Sequence, residues 1–442
     1  MRHTLSIIII TLIISNIKSE LLKIPFKIKE KKKLTEENLM SQLTENEIYI
    51  QAKIGTPTQN IQLYIKLNEF PTFITSSIYP KDIQKFDNKK SSTYVLLEHY
   101  DVEYRVYDFI RGKLSEDIFI LTNSKKNNYE MKNFNFYLAT ELKEGKEEMS
   151  GEIGLKIFEE FGESKVNFLK HLKLRNITEN EIFSIQYNDK GDNGILYLGN
   201  YYHQIDKNYK ETDFKIMKIG IPKSGIQWQL LFDKVNVQNE SLFESDKVHL
   251  SYEFGLILSV QNYYDKIYEM YFNNYKSECK EIKFNKDSYF YIKCSDKINI
   301  KQFPELSFIS NKLNYTLSFK GEELFYKFKG NYYFQIIFQT EHSKIWKFGK
   351  IFFKKYQIFF NPDQKIIGLY PYTKTPSSNL PFSWVVVFIL FIVIIGILIY
   401  VKMFLTYKKR KIRANELEEQ FDYTPQNNGS NVVKEKLLGN YF

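Results

Sequence analysis

The sequence predicts a mostly β protein with a few short helices and one membrane-spanning helix near its C-terminus. Three observations carry that expectation. Between roughly residues 45 and 372, short runs rich in Ile, Tyr, Phe and Val recur with turn residues between them, the pattern of half-buried strands. Helical periodicity is confined to stretches such as VNFLKHLKLR and QNYYDKIYEMYFNNYK. Finally, the run LPFSWVVVFILFIVIIGILIYV, from Leu380 to Val401, carries no charge. It is long enough to cross a bilayer core of about 30 Å.

Composition sets the outer bounds. A chain of 442 residues suits two or three domains. With 43% hydrophobic and 17% aromatic residues it has ample material for a core, which excludes whole-chain disorder. A formal charge of +10 is small for this length, so no nucleic-acid partner is expected. The 2 cysteines exclude a disulfide-framework scaffold and a multi-cysteine metal site. The 6 histidines show no ligand spacing and no glycine loop is built to cradle phosphate, so neither metal nor cofactor is expected.

Taken in order, the chain opens on Arg2 and His3, an apolar stretch from Leu5 to Ile14, and small or polar residues up to Ser19. That is the layout of a secretory signal peptide over residues 1–19. The strand-like runs follow: EIYIQAKIG, NIQLYIKL, GILYLGN, WQLLFDKVNV, DSYFYIKC and NYYFQIIFQ. Trp384 and Tyr400 flank the apolar run as interfacial aromatics do, and Lys402, Lys408, Lys409, Arg410, Lys411 and Arg413 mark the cytoplasmic side. The polar tail beyond Arg413 is expected to be disordered.

The expected arrangement is therefore single-pass type I, with the N-terminal bulk lumenal or extracellular in the secretory pathway, at the cell surface or in endolysosomes. In an oxidising lumen Cys279 and Cys294 would pair across a short loop. Asn176, Asn239 and Asn314 head Asn-X-Ser/Thr sequons and become glycan acceptors there, whereas Asn428 falls in the tail and stays bare.

A family resemblance enters at Ile54 to Ile65, IGTPTQNIQLYI, which resembles the opening of a pepsin-like aspartic protease (peptidase family A1). Further matches follow in order. Ser91-Ser92-Thr93-Tyr94 resembles the turn before the active-site flap. Ser150 to Leu155 (SGEIGL) resembles the family's D-G-I-L-G-L, and Phe168 to Gln186 resembles its first-lobe helix and strand. Gly194 to Gly199 resembles the strand closing that lobe. Trp228-Gln229 resembles the opening of the second lobe's core, and Trp346 through Leu369 aligns without a gap. Cys279 and Cys294 occupy the region of the family's second-lobe disulfide. The resemblance implies a bilobal fold, two β lobes around a cleft, each lobe normally offering one aspartate at the cleft floor. It divides the chain into a propeptide-like or linker segment (20–45), an N-terminal lobe (46–215), a C-terminal lobe (216–373), a linker (374–381), a transmembrane helix (382–404) and a cytoplasmic tail (405–442). The basic stretch Lys23 to Lys33 resembles an inhibitory propeptide; an ordinary solvated linker reads equally well.

The resemblance fails where the chemistry should be. The family needs two carboxylates about 3 Å apart sharing one proton, so that one serves as base and the other as acid on a single water. Counted without gaps from IGTP, the first aspartate falls on Lys66, in Lys66-Leu67-Asn68; counted from Trp228, the second falls on Ser251, in Ser251-Tyr252-Glu253. No Asp-Thr-Gly or Asp-Ser-Gly exists in the chain. The flap tyrosine falls at Arg105, or at Tyr104 with a one-residue shift, and the flap glycines are missing. Lysine cannot act as the ionised acid and serine has no charge to give. A cation gained by one lobe and an anion by the other suggests that Lys66 and Glu253 pair across the lobes, since a lone buried lysine is costly. Two separately solvated charges remain the alternative.

Three functions compete at this point. The first is a membrane-tethered, catalytically inactive homologue that binds a peptide or protein in its interlobe cleft. The second is an active membrane-anchored aspartic endopeptidase with differently placed aspartates. The third is a structural surface scaffold, because fold alone does not fix function.

Overall fold

The computed structural model describes residues 21–422 apart from 31–32, 70, 78–84, 100–101, 104–108, 145, 147, 157–162, 220–227, 260, 286–287, 341–345 and 372–381. The expected signal peptide (1–19), the expected flap residues Tyr104 and Arg105, and the end of the expected tail lie outside the described residues. Strand dominates, as expected. The described strands form one sheet of 14 and one of 11, and the chain divides into two units, Met1–Tyr372 and Thr373–Phe442.

The alternation read from sequence sets the strand faces. In Ile48–Ile54, the apolar Ile48, Ile50, Ala52 and Ile54 turn inward while Gln51 faces solvent. The run NYYFQIIFQ differs from its expectation, because it forms two strands, Asn331–Phe334 and Ile336–Gln339. Gln335 breaks it: its N–H donates to Leu324 O (2.8 Å) and its carbonyl accepts from Ile257 N–H (3.0 Å). The chain changes sheet partners there, from the strand Phe325–Phe328 to the strand Ile257–Ser259. The two expected helices form as Phe168–Leu174 and Tyr264–Phe272; the first is capped by Asn167, whose side chain accepts from Lys170 N–H.

The larger sheet belongs mainly to the N-terminal lobe and the smaller, from Gln229–Val237 to Trp346–Phe348, to the C-terminal lobe. The chain's last two strands, Gln357–Asn361 and Ile366–Tyr370, return to the larger sheet, where Phe360 lies opposite Phe183 and Phe359 opposite Ser184. The lobes thus share a sheet as well as a core. Trp228 is fully buried between the rings of Phe183 and Phe360, with centroids 5.8 and 4.8 Å away.

Within the segment 20–45, two described stretches pack into the lobes, one into each. Leu22–Ile28 is a strand between Asn193–Leu198 and Ile48–Ile54, with Leu22, Ile24 and Phe26 buried. The short helix Leu39–Thr44 follows, burying Leu39 and Met40 in a cluster with Leu256, Leu258, Tyr291 and Tyr333 of the C-terminal lobe.

In the second unit, Phe382–Asp422 forms one helix of 41 residues. At about 1.5 Å per residue it reaches about 60 Å, twice the bilayer core. Its apolar part could span a membrane. The expectation of disorder beyond Arg413 is corrected as far as Asp422, because Ala414, Leu417, Glu418, Glu419 and Gln420 are good helix formers and propagate the turn already nucleated upstream.

Candidate functional site

Each lobe presents the end of a strand held by a parallel neighbour. In the N-terminal lobe Gln59–Lys66 runs parallel to Gly151–Gly154, with Lys66 opposite Gly154, and Leu155 N–H donates to Lys66 O at 2.8 Å. In the C-terminal lobe Glu240–Leu250 runs parallel to Trp346–Phe348, with His249 opposite Lys347 and Leu250 opposite Phe348. Carried one residue further, that register sets Ser251 opposite Gly349. The two lobes therefore repeat one arrangement, and Lys66 and Ser251 stand at its matching points. Gly349 permits it: a Cβ there would fall 2.2 Å from Phe254 O.

The two loops leaving these points interlock. Leu67 N–H donates to Glu253 Oε1 (3.1 Å), Asn68 Nδ2 donates to Leu250 O (2.6 Å), and Trp228 N–H donates to Asn68 Oδ1 (3.1 Å). Trp228 Nε1–H reaches back to Leu155 O (3.0 Å). Within its own loop the Ser251 hydroxyl donates to Glu253 Oε2 (2.7 Å). Both oxygens of Glu253 are thus engaged, one by each lobe.

A buttress backs the second loop. Asn46 N–H donates to Glu253 O (2.9 Å), while its side-chain amide donates to Tyr252 O and Tyr187 OH. Gly255 N–H donates to Thr44 O (2.7 Å), and a Cβ on Gly255 would lie 1.8 Å from Leu43 O. Tyr252, a bulky residue that could have filled the cleft, turns instead into the core against Phe353, with ring centroids 4.1 Å apart.

Where the strand ends meet, a cavity of about 310 Å³ opens, lined by Lys66, Asn68 and Glu69 from one lobe and His249, Ser251, Glu253 and Lys347 from the other. Its wall is polar and carries two lysines and two glutamates. Lys66 itself is only 6% exposed. Burial, then the nearby Lys347 and Lys247 charges, push the His249 imidazole down to about 4 from its ordinary 6.5, so it is neutral at pH 7. Among the described residues no group of three or more metal-ligating side chains could hold a metal ion.

The structure thus brings Lys66, Ser251 and Glu253 to one place. Reading the sequence did not find Lys347, Asn68 as a cross-lobe tie, or Asn46. The only signal for Lys347 was its place in Trp346-Lys347-Phe348-Gly349, two residues before the glycine that faces Ser251. Elsewhere Cys279 and Cys294 form the expected disulfide, opposite one another in an antiparallel pair. Asn176, Asn239 and Asn314 all lie exposed in turns.

Comparison with known proteins agrees with this architecture. A family model described as eukaryotic aspartyl protease matches residues 47–372. Among solved structures, basic 7S globulin from soybean superposes with a TM-score of 0.58 at 12% identity, covering 80% of this chain and 98% of that one. At that identity the likeness shows the fold. No curated protein sequence matches the chain. The family match spans both strand ends and nearly the whole of the first unit, and on that basis the chain belongs to the eukaryotic aspartyl protease family.

Proposed function

We propose that the chain is a membrane-anchored, catalytically inactive member of this family whose interlobe site binds a peptide or protein segment. The observation that carries the reading is the repeated parallel register. At its two matching points, where hydrolysis by this family would need a carboxylate from each lobe, stand the Lys66 ammonium and the Ser251 hydroxyl. A water held between them has no base to take its proton and no acid to protonate a leaving amine. Losing general acid–base catalysis alone costs about 10²–10⁴ in rate, and here both partners are gone.

In this reading the nearby Glu253 does not rebuild the dyad. Glu253 already receives the Leu67 N–H and the Ser251 hydroxyl. In this reading the Lys66 ammonium is matched to Glu253 across the lobes, replacing a catalytic pair with a structural one. Binding needs neither aspartate, since an extended chain can be held by strand-like backbone pairing and side-chain pockets. The apolar part of Phe382–Asp422 spans the bilayer, the Lys/Arg cluster after it lies in the cytosol, and residues 20–372 face the lumen or exterior after removal of the signal peptide. In that compartment Asn176, Asn239 and Asn314 carry glycans.

The family match favours one rival, an active endopeptidase. The purified full chain would be incubated with unfolded protein between about pH 3 and 6, where a carboxylate dyad works. We expect no turnover. Pepstatin-sensitive cleavage would eliminate the inactive reading. Pull-downs with the chain, with and without substitutions that fill the cavity, separate a binding module from a scaffold.

A further inference from the structure

We propose that the C-terminal-lobe wall of the cavity receives a peptide carboxylate, gripped by the Lys347 ammonium with His249 beside it. The inference rests on the binding reading above and names the chemistry of the guest.

Four observations converge on that wall. Lys347 and His249 face each other in register on adjacent parallel strands, so their side chains leave the sheet together. Both line the cavity. The Lys347 Nζ lies 5.7 Å from the centroid of the Phe254 ring and has no carboxylate partner among the described residues. His249 Nε2 is buried without a hydrogen-bond partner, and a buried polar nitrogen left so is a place where a ligand atom gains most.

Two carboxylates at the cavity weigh against an anionic guest. Glu69 and Glu253 line the same cavity and would repel an anion. Glu69 stands with Lys66 on the N-terminal-lobe side, and Glu253 on the C-terminal-lobe side with Lys347. Both oxygens of Glu253 are already occupied by hydrogen-bond donors. Of the two cavity lysines, Lys347 has no carboxylate within ion-pair distance among the described residues. The positive field of Lys347 and Lys247 already disfavours protonation of His249, and the same field favours a negative guest. An ammonium and a neutral imidazole N–H offer two donors to one carboxylate, a charge-assisted arrangement. The guest carboxylate has two sources, an internal Asp or Glu side chain or a free C-terminus.

The test uses full-length protein in detergent micelles and four pools of otherwise degenerate heptapeptides. One pool fixes an internal Glu and has an amidated C-terminus; its control replaces Glu by Gln. A third lacks acidic residues but has a free C-terminus, and its control is amidated. Retention of an acidic pool about tenfold above its neutral control is expected, on the strength of one charge-assisted contact. That preference should fall to parity in Lys347→Met and persist in Lys347→Arg. His249→Gln, of similar size, should weaken it partly, which keeps the proposal testable should the methionine variant fold poorly. Whichever acidic pool is enriched identifies the source. Equal retention of acidic and neutral pools would overturn the carboxylate inference and leave the binding reading intact. Retention of no pool at all would overturn both.

Discussion

His171 should make the protein measurably weaker in acid. Its ring is 5% exposed and packs 4.9 Å from the Phe134 ring. Nε2–H donates to Lys165 O (2.6 Å), and Nδ1 accepts from Arg175 Nη1 (2.8 Å). That tautomer leaves no room for a second proton, because an Nδ1–H would point at a guanidinium. Burial first, opposed by the Lys165 carbonyl and then reinforced by the Arg175 and Lys170 charges, pushes the imidazole down to about 4 from 6.5. The sign follows. The neutral ring is favoured in the folded state, so its contribution is complete above pH 6.5, declines as pH falls toward 4, and is fully lost below that. A gap of roughly two and a half pH units at 1.36 kcal/mol each is about 3 kcal/mol. The assay is urea denaturation of wild type and His171→Gln from pH 7 to pH 4, followed by fluorescence of the buried Trp228 and Trp346. Glutamine can keep both hydrogen bonds and cannot titrate. Between the two pH values wild type should lose about 3 kcal/mol more than the variant. Parallel pH profiles would refute the reasoning. Arg175 also donates to Lys132 O and Asn133 O, so the loosening should appear first in exchange of the Phe168–Leu174 amides.

Three further outcomes are expected. Asn68→Ala leaves Leu250 O and Trp228 N–H without their cross-lobe partner and should cost roughly 3 kcal/mol, read as a lowered urea midpoint at unchanged slope. Replacing both Cys279 and Cys294 by serine opens a loop of sequence separation 15 and should cost about 3 kcal/mol, again by urea midpoint. Protein from a secretory host should migrate faster after endoglycosidase treatment, with the shift reduced in Asn176→Gln, Asn239→Gln and Asn314→Gln; no shift would remove the lumenal placement of those turns.

Much of the fold was legible because its signals are local. A strand such as Ile48–Ile54 declares its faces by alternation, the disulfide is set by two cysteines in one hairpin, and the apolar run needs no context. The site was legible only in part. Lys66 and Ser251, reached by counting from IGTP and from Trp228, stand at matching strand ends in the two lobes. Lys347 and Asn46 could not be placed so, because they reach the cavity or its buttress through pairings made far along the chain. Lys347 arrives through a parallel strand, and Asn46 through hydrogen bonds to Tyr252 and Glu253. The missed break at Gln335 has the same origin. Composition there is uniformly strand-like, and only the sheet partners change.

The buried Lys66 raises a question of energy that can be put to measurement. A lysine at 6% exposure is stable in its charged form only if its desolvation is offset by a nearby anion. Glu253 is held at the same cavity by donors from both lobes, so it is an anion the fold keeps in place. If Lys66 and Glu253 act as a unit, removing either one strands the other. Lys66→Met and Glu253→Gln should each cost about 3 kcal/mol. The double variant should cost markedly less than the sum, with a coupling of about 1–3 kcal/mol. The Leu67 N–H and Ser251 hydroxyl can still bond to the glutamine oxygen, so the cycle reports the charge pairing more than the clasp. Additive losses would mean that Lys66 is satisfied elsewhere and that Glu253 is retained for the lobe junction alone. The ammonium would then be a bystander at the cavity.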